Sequence, residues 1–281
     1  MGDAFLKTDS VGIRLDQAVA ASAGVTRSRA RALIIAGRVR VAGRPFTKPG
    51  TIVAPTTHLD IERPRAYVSR GGEKLERALT DFALDVREMR ALDVGASTGG
   101  FTDCLLSHGA THVTALDVGY GQLAYEMRVD PRVTVMERCN FRLLPDDTFG
   151  REFDLVVVDA SFISAIPLLE RASRFLRRCG EEGALADGQM VVLIKPQFEA
   201  GRAAVARGGV VRDVNIHRSV LTASRWGILG LGLYPTALAL SCLRGPAGNI
   251  EFFVRIEQTG EAFTDEAIDA VLTQAAESND S

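Results

Sequence analysis

Apolar and polar positions follow two regimes along the chain. Up to about residue 63 the apolar runs are short. Leu15, Ala18 and Val19 share the inner face of a short amphipathic helix predicted over Ile13–Ala21. A turn at Ala23-Gly24-Val25 leads to Thr26, a good N-cap. A second helix then runs from Arg27 to Gly37 with Ala30, Leu33 and Ile34 buried and Arg27 and Arg31 on the exposed face. Val39–Arg44 alternates as a strand into a turn at Ala42-Gly43, and Thr51–Ala54 and His58–Ile61 read as further short strands.

Past residue 72 the runs lengthen. A helix is predicted over Glu73–Phe82, then strands at Ala91–Val94, Val113–Val118, Val133–Glu137, Leu155–Asp159 and Met190–Lys195, with helices at Phe101–Ser107 and Ile166–Arg178. Leu155-Val-Val-Val and Met190-Val-Val-Leu-Ile are apolar at every position, as strands covered on both faces are. Leu233–Leu243 and Glu251–Glu257, joined through the turn residues Gly245-Pro-Ala-Gly248, predict a closing antiparallel hairpin. Alternating strands and helices imply a doubly wound α/β sheet with ligands at the strand carboxyl ends. Pro64 and the Gly71-Gly72 pair mark a boundary, giving a head over residues 1–63, a linker over 64–72 and a body over 73–281.

Charge separates the same two parts. The net charge is −2, yet residues 1–70 hold twelve Lys/Arg against five Asp/Glu, so the remainder is strongly acidic. A basic head on an acidic body suits a polyanionic partner. Arg14, Arg27, Arg29, Arg31, Arg38, Arg40 and Arg44 supply guanidinium groups that match phosphate in a bidentate way. Phe46 is the hairpin's aromatic, which favours folded, double-stranded RNA shape over stacking on unpaired bases. Four widely spaced cysteines without a C-x-x-C give no disulfide framework and no metal site, so a reducing cytoplasm is expected. The N-terminus has no signal-peptide core, and the most apolar stretch, Gly227–Leu243, is broken by Pro235 and glycines, so no membrane segment is expected.

The sharpest chemical signal is Asp93-Val-Gly-Ala-Ser-Thr-Gly-Gly100, a small-residue turn between a strand and a helix, followed by an acid, Asp117, at the tip of the next strand. Gly95, Ser97, Gly99 and Gly100 let backbone and ligand approach closely, and Asp117 is placed to accept ribose hydroxyls. The turn departs from G-x-G-x-x-G, and Asp93 would oppose a pyrophosphate at the helix N-terminus. The sulfonium and α-ammonium of S-adenosylmethionine suit that acid better. Asp159 and Lys195 each end an apolar strand, Glu251 begins the last one, and Lys74 opens the helix after the linker. A charge in such a place faces a site or is costly to bury. Two lysines oriented by two carboxylates could take or steer the proton of a ribose hydroxyl during methyl transfer.

The head, from Arg14-Leu-Asp16 through Ser28-Arg29, Ile35–Val39 and Val41-Ala-Gly43, resembles the S4 RNA-binding domain. Tyr67–Lys74, Asp93–Asp103, Asp117–Leu123, Asp159–Ser164, Lys195–Glu199, Gly208–Asp213 and Gly245–Glu251 resemble the TlyA-type proteins, which join an S4 domain to an FtsJ-like methyltransferase domain. The resemblance implies a Rossmann-like class I methyltransferase fold and S-adenosylmethionine-dependent methylation of a cytidine 2′-hydroxyl in rRNA on ribosomal subunits. It implies Lys74, Asp159, Lys195 and Glu251 as the catalytic set, and adds Asn140 to the donor site. The residues before Arg14 and the run Asp265–Ala276 hint at members that modify both subunits. Three alternatives, a different methyl acceptor, a non-catalytic factor and a cytolysin, are weighed against this. An amino-methyltransferase would carry prolines that Asp159-Ala-Ser-Phe162 lacks, and carbon-5 methylation would need a cysteine such as Cys139 at the site. A non-catalytic RNA-binding assembly factor would have no need of the charged set, and a haemolysin would need an apolar or cationic amphipathic segment.

Overall fold

In the computed structural model, the structure describes residues 12–41, 43–61, 66–161, 163–179, 187–201, 205 and 208–278. The residues ahead of Gly12, Ala42, the linker positions 62–65 with Pro64, and Phe162 lie outside them. The chain divides into two compact units, Met1–Arg65 and Ala66–Ser281.

The first unit contains β1 (Ile13–Arg14), α1 (Leu15–Ala23), α2 (Arg27–Ile35), β2 (Val39–Val41), β3 (Arg44–Pro45), β4 (Ile52–Val53) and β5 (Leu59–Ile61). The helix predicted from Ile13 starts two residues later. Ile13 and Arg14 are extended and pair antiparallel with Val53 and Ile52, so the ladder takes the backbone groups that the helix would have used. Thr26 caps α2 as expected, its hydroxyl accepting from the Arg29 N–H at 3.3 Å. Gly24, at φ +66°, ends α1 in the left-handed conformation that a side chain would resist. Leu15, Val19, Ala30, Leu33, Ile34 and Val39 form the core on which the antiparallel sheet β3-β2-β5 closes.

The second unit runs α3 (Arg70–Asp81), β6 (Arg90–Val94), α4 (Gly100–Ser107), β7 (His112–Leu116), α5 (Tyr125–Val129), β8 (Val133–Met136), β9 (Leu155–Val158), α6 (Ile166–Ala172), β10 (Gln189–Ile194), α7 (Pro196–Glu199), α8 (Val214–Gly230), β11 (Tyr234–Leu240), β12 (Phe252–Glu257) and α9 (Asp265–Glu277). The sheet order is β11-β12-β10-β9-β6-β7-β8. The five strands from β10 to β8 are parallel, and β12 runs antiparallel to both β10 and β11. This is the doubly wound sheet with its hairpin, and the order reverses beside β6, where such sheets bind ligands.

Alternation along the strands assigns the faces. Val156, Val158, Met190, Val192, Ile194, Phe252 and Val254 join the core under α6, α8 and α9. Leu155, Val157, Val191, Leu193 and Phe253 join the core under α3 and α4. Continued one residue past each strand end, the same period of two puts Asp159, Lys195 and Glu251 on the α3 side, and it puts Asp93 there too. One rule of strand geometry thus gathers four charged residues that lie far apart in sequence.

Three features of the second unit differ from expectation. The Gly71-Gly72 pair lies in the first turn of α3, which Ser69 caps by accepting from the Gly71 N–H, and a Cβ on Gly72 would strike the Tyr67 ring. The helix predicted to reach Arg178 stops at Ala172, because Leu176 turns back to bridge Phe153 beside the sheet. The 17-residue helix α8 was not foreseen, since glycines at 227 and 230 break its apolar stripe of Val220, Leu221 and Ile228.

Candidate active site

At the carboxyl ends of β6, β7 and β9 lies a cavity of about 300 Å³. Gly95, at φ +89°, opens its floor; a Cβ there would sit 2.6 Å from the Asp159 carbonyl oxygen, so glycine is required on both counts. Ser97 is held in the same left-handed region at φ +49°, where its N–H donates to Asp117 at 2.8 Å. The other Asp117 oxygen accepts from the Gly119 N–H at 2.6 Å. Two backbone donors thus lock the carboxylate at the cavity wall with acceptor capacity remaining. Asn140 also lines the cavity, its side-chain oxygen accepting from the Arg142 N–H at 3.1 Å. Leu116, Val118, Phe141, Ile163 and Leu168 supply the apolar walls.

Not every residue of the glycine turn reaches this cavity. Gly100 begins α4 and packs against Ser69 and Gly72 of the α3 start, and a Cβ on Gly99 would press on Leu123 and Met127. Their smallness serves helix packing. Asp93, expected to face a cationic ligand, is wholly buried; Thr102 donates to one oxygen at 2.7 Å and the other has no protein partner. Burial, assisted by the nearby negative charges of Asp159 and Asp117, raises its pKa to about 7 despite the Thr102 bond. Cys139 lines the cavity, but burial raises its thiol pKa, the wrong direction for a nucleophilic thiolate.

Two lysine–carboxylate pairs stand along the same sheet edge. Lys74 reaches from α3 to Glu251 at 2.5 Å, and both are nearly sealed, at 8% and 1% exposed. Gly245 packs beside them, and a Cβ there would sit 2.5 Å from the second Glu251 oxygen and displace that carboxylate. Lys195, 9% exposed, lies 2.6 Å from Asp159 and donates to Ser161 Oγ at 2.9 Å. Asp159 and Ser161 belong both to the Lys195 cluster and to the cavity lining, so cavity and cluster are contiguous. Asn249 sits two residues before Glu251 and is buried, its amide bridging the Val211 N–H and the Gly209 carbonyl. That clamp and Ser161 were missed as site residues from the sequence.

The family pattern described as FtsJ-like methyltransferase matches residues 67–258. The chain belongs to the FtsJ-like methyltransferase family. An S4 domain matches residues 13–58 ahead of this methyltransferase domain. The chain is 46% identical over 258 residues, 90% of its length and 93% of the relative's, to the 16S/23S rRNA (cytidine-2′-O)-methyltransferase TlyA of Mycobacterium tuberculosis. It is 40% identical to Hemolysin A of Brachyspira hyodysenteriae, covering 85% of this chain and 98% of that protein. A solved Streptococcus thermophilus structure, described as a candidate hemolysin, superposes with a TM-score of 0.71 at 36% identity, covering 96% of this chain and 97% of the other.

In the S4 domain, Arg29, Arg31, Arg38, Arg40 and Arg44 are exposed. Arg14 and Arg27 differ from the expected free phosphate ligands, because both bind Asp16, at 3.0 and 3.2 Å. The Arg14 hydrogen bond is the main cause of an Asp16 pKa near 2. These two arginines compensate a solvent-inaccessible carboxylate in the first turn of α1. Among the described residues no helix is long and apolar enough to cross a membrane, and no group of metal-ligating side chains gathers.

Proposed function

We propose that the chain transfers a methyl group from S-adenosylmethionine to a ribose 2′-hydroxyl of ribosomal RNA, a cytidine as in its M. tuberculosis relative. The observation that carries the reading is the pair of sheltered lysine–carboxylate contacts, Lys195–Asp159 and Lys74–Glu251, beside a cavity suited to a nucleoside.

The cavity residues fit this donor. Asp117 has lone pairs left for ribose hydroxyls, Asn140 is a polar group on the same wall, and the apolar side chains match the faces of an adenine. The unpartnered oxygen of Asp93 is an acceptor that a nearby ammonium would satisfy, directly or through a water. When bound, the donor supplies a methyl group already activated on a sulfonium. The protein therefore has to align the acceptor and manage its proton. Lys195, flanked by Asp159, is the residue that takes the proton from the 2′-oxygen. Lys74, held by Glu251, adds positive charge that favours an alkoxide-like oxygen. The exposed arginines of the S4 domain supply phosphate contacts that are independent of sequence.

Incubation of the pure protein with methyl-labelled donor and intact ribosomal subunits tests this. The expected product is label in rRNA at a nucleotide that resists alkaline cleavage on its 3′ side. Label on a base, or no label on any subunit, would sink the proposal.

Asp93 gives the donor site a pH signature. A carboxyl with a folded pKa near 7 is mostly protonated at pH 6 and mostly ionised at pH 8. If only the ionised form accepts the donor's cationic end, affinity should tighten about tenfold across that window. Folding of the free protein runs the other way. Asp93 imposes no penalty below about pH 4, and its contribution to stability is lost as pH rises through about 7. Calorimetric titration should find Asp93→Asn weaker in binding and flat with pH, and thermal unfolding should give it a higher melting temperature than wild type at pH 8 but not at about pH 4. A flat wild-type profile would remove Asp93 from donor binding.

A further inference from the structure

The two lysines are not equivalently placed. Lys74 is locked against one carboxylate, whereas Lys195 also donates to a hydroxyl, that of Ser161. Ser161 is exposed and lines the donor cavity, so its Oγ joins a nearly sealed amine to solvent. An ion pair with Asp159 at 2.6 Å and a hydrogen bond to Ser161 Oγ at 2.9 Å restrict the rotation of a flexible ammonium and leave it capacity to face the acceptor.

A proton collected at Lys195 must leave before the next turnover. Asp159 is the poorer exit. Passing the proton to it would neutralise both members of the ion pair that holds Lys195 in place. A hydroxyl accepts and donates at once, and passes a proton without becoming an ion.

On the methyl-transfer reading above, we infer that Ser161 is a positioning residue for Lys195, aiming its amine at the acceptor oxygen and carrying the captured proton to water. In the reaction the acceptor O–H bond breaks and an N–H bond forms at Lys195 Nζ. The new O–C bond forms as the donor's C–S bond breaks, with that electron pair staying on sulfur. Release then breaks one Lys195 N–H bond as Ser161 Oγ takes that proton and gives its own to water. Nothing is oxidised or reduced.

The test has two arms and uses the full chain with Ser161→Ala and Ser161→Thr. In the first, without donor or RNA, the titration of Lys195 is followed by pH-dependent isotopic reductive methylation and mass spectrometry. A hydroxyl accepting from the ammonium favours the charged form, so Ser161→Ala should titrate about one unit lower, and Ser161→Thr should restore the wild-type value. In the second, single-turnover methyl transfer is measured across pH. The alkaline plateau of Ser161→Ala should fall about tenfold, its rising limb should move to lower pH, and donor affinity should stay within about threefold of wild type. Threonine should rescue both. An unchanged Lys195 titration, or a loss of rate that threonine does not rescue, overturns the role of Ser161. Absence of transfer by the wild type overturns the methyltransferase reading itself, while the first arm still decides whether Ser161 sets the state of Lys195.

Discussion

Lys195→Ala is expected to reduce methyl transfer by roughly a thousandfold while leaving donor binding within about threefold of wild type. The split follows from position. Lys195 is the proton acceptor of the proposed reaction, yet it is absent from the cavity lining, to which its neighbours Asp159 and Ser161 contribute. Loss of a positioned base typically removes two to four orders of magnitude, and this donor needs no further activation. Structural damage should be small. Lys195 ends β10 beyond its last ladder residue, and the Asp159 carboxylate it leaves behind is a quarter exposed, so water can replace the lost ammonium. Single-turnover transfer measured beside calorimetric donor binding separates the two effects. A matching loss of both would mean that Lys195 serves the donor site, and retained transfer would remove it from the chemistry.

How much of this was legible in the sequence depends on the kind of signal. Strand tips were readable because an apolar run that ends in a charge has few bland explanations, and Asp159 and Lys195 stand at such tips in the fold. The glycine turn was readable as a sharp bend, but which glycine faces a ligand was not. That depends on what a Cβ would meet: for Gly95 the Asp159 carbonyl, for Gly100 the capping residues of α3. Pairing was also hidden. Lys74 and Glu251 lie 177 residues apart, and their contact follows from strand order and from which sheet face α3 covers. The burial of Asp93 behind Thr102 was also hidden, because it is a tertiary fact that the strand pattern does not carry. Arg14 and Arg27 could not be sorted from the exposed arginines until Asp16 was seen between them.

Glu251→Ala should differ from Lys195→Ala in losing stability as well as activity. It leaves the Lys74 ammonium sheltered against α3 and the sheet edge with its carboxylate gone. Removing one partner of a buried pair costs about 3–5 kcal/mol, chiefly the penalty of an uncompensated charge. Denaturant unfolding should therefore show a lower midpoint for Glu251→Ala at unchanged slope. The double variant Lys74→Met/Glu251→Leu removes both charges and keeps the volume. It should recover most of that stability, because well-packed apolar side chains replace such a pair at little or no cost. Methyl transfer should remain lost in both, since neither keeps the Lys74 charge oriented beside the acceptor. A double variant no more stable than the single one would show that the site admits enough water to solvate Lys74 alone, and that the pair is held for catalysis without a buried charge to neutralise. Recovered stability together with recovered transfer would be worse for the mechanism, because the Lys74–Glu251 pair would then be a structural clamp and Lys195 would work without it.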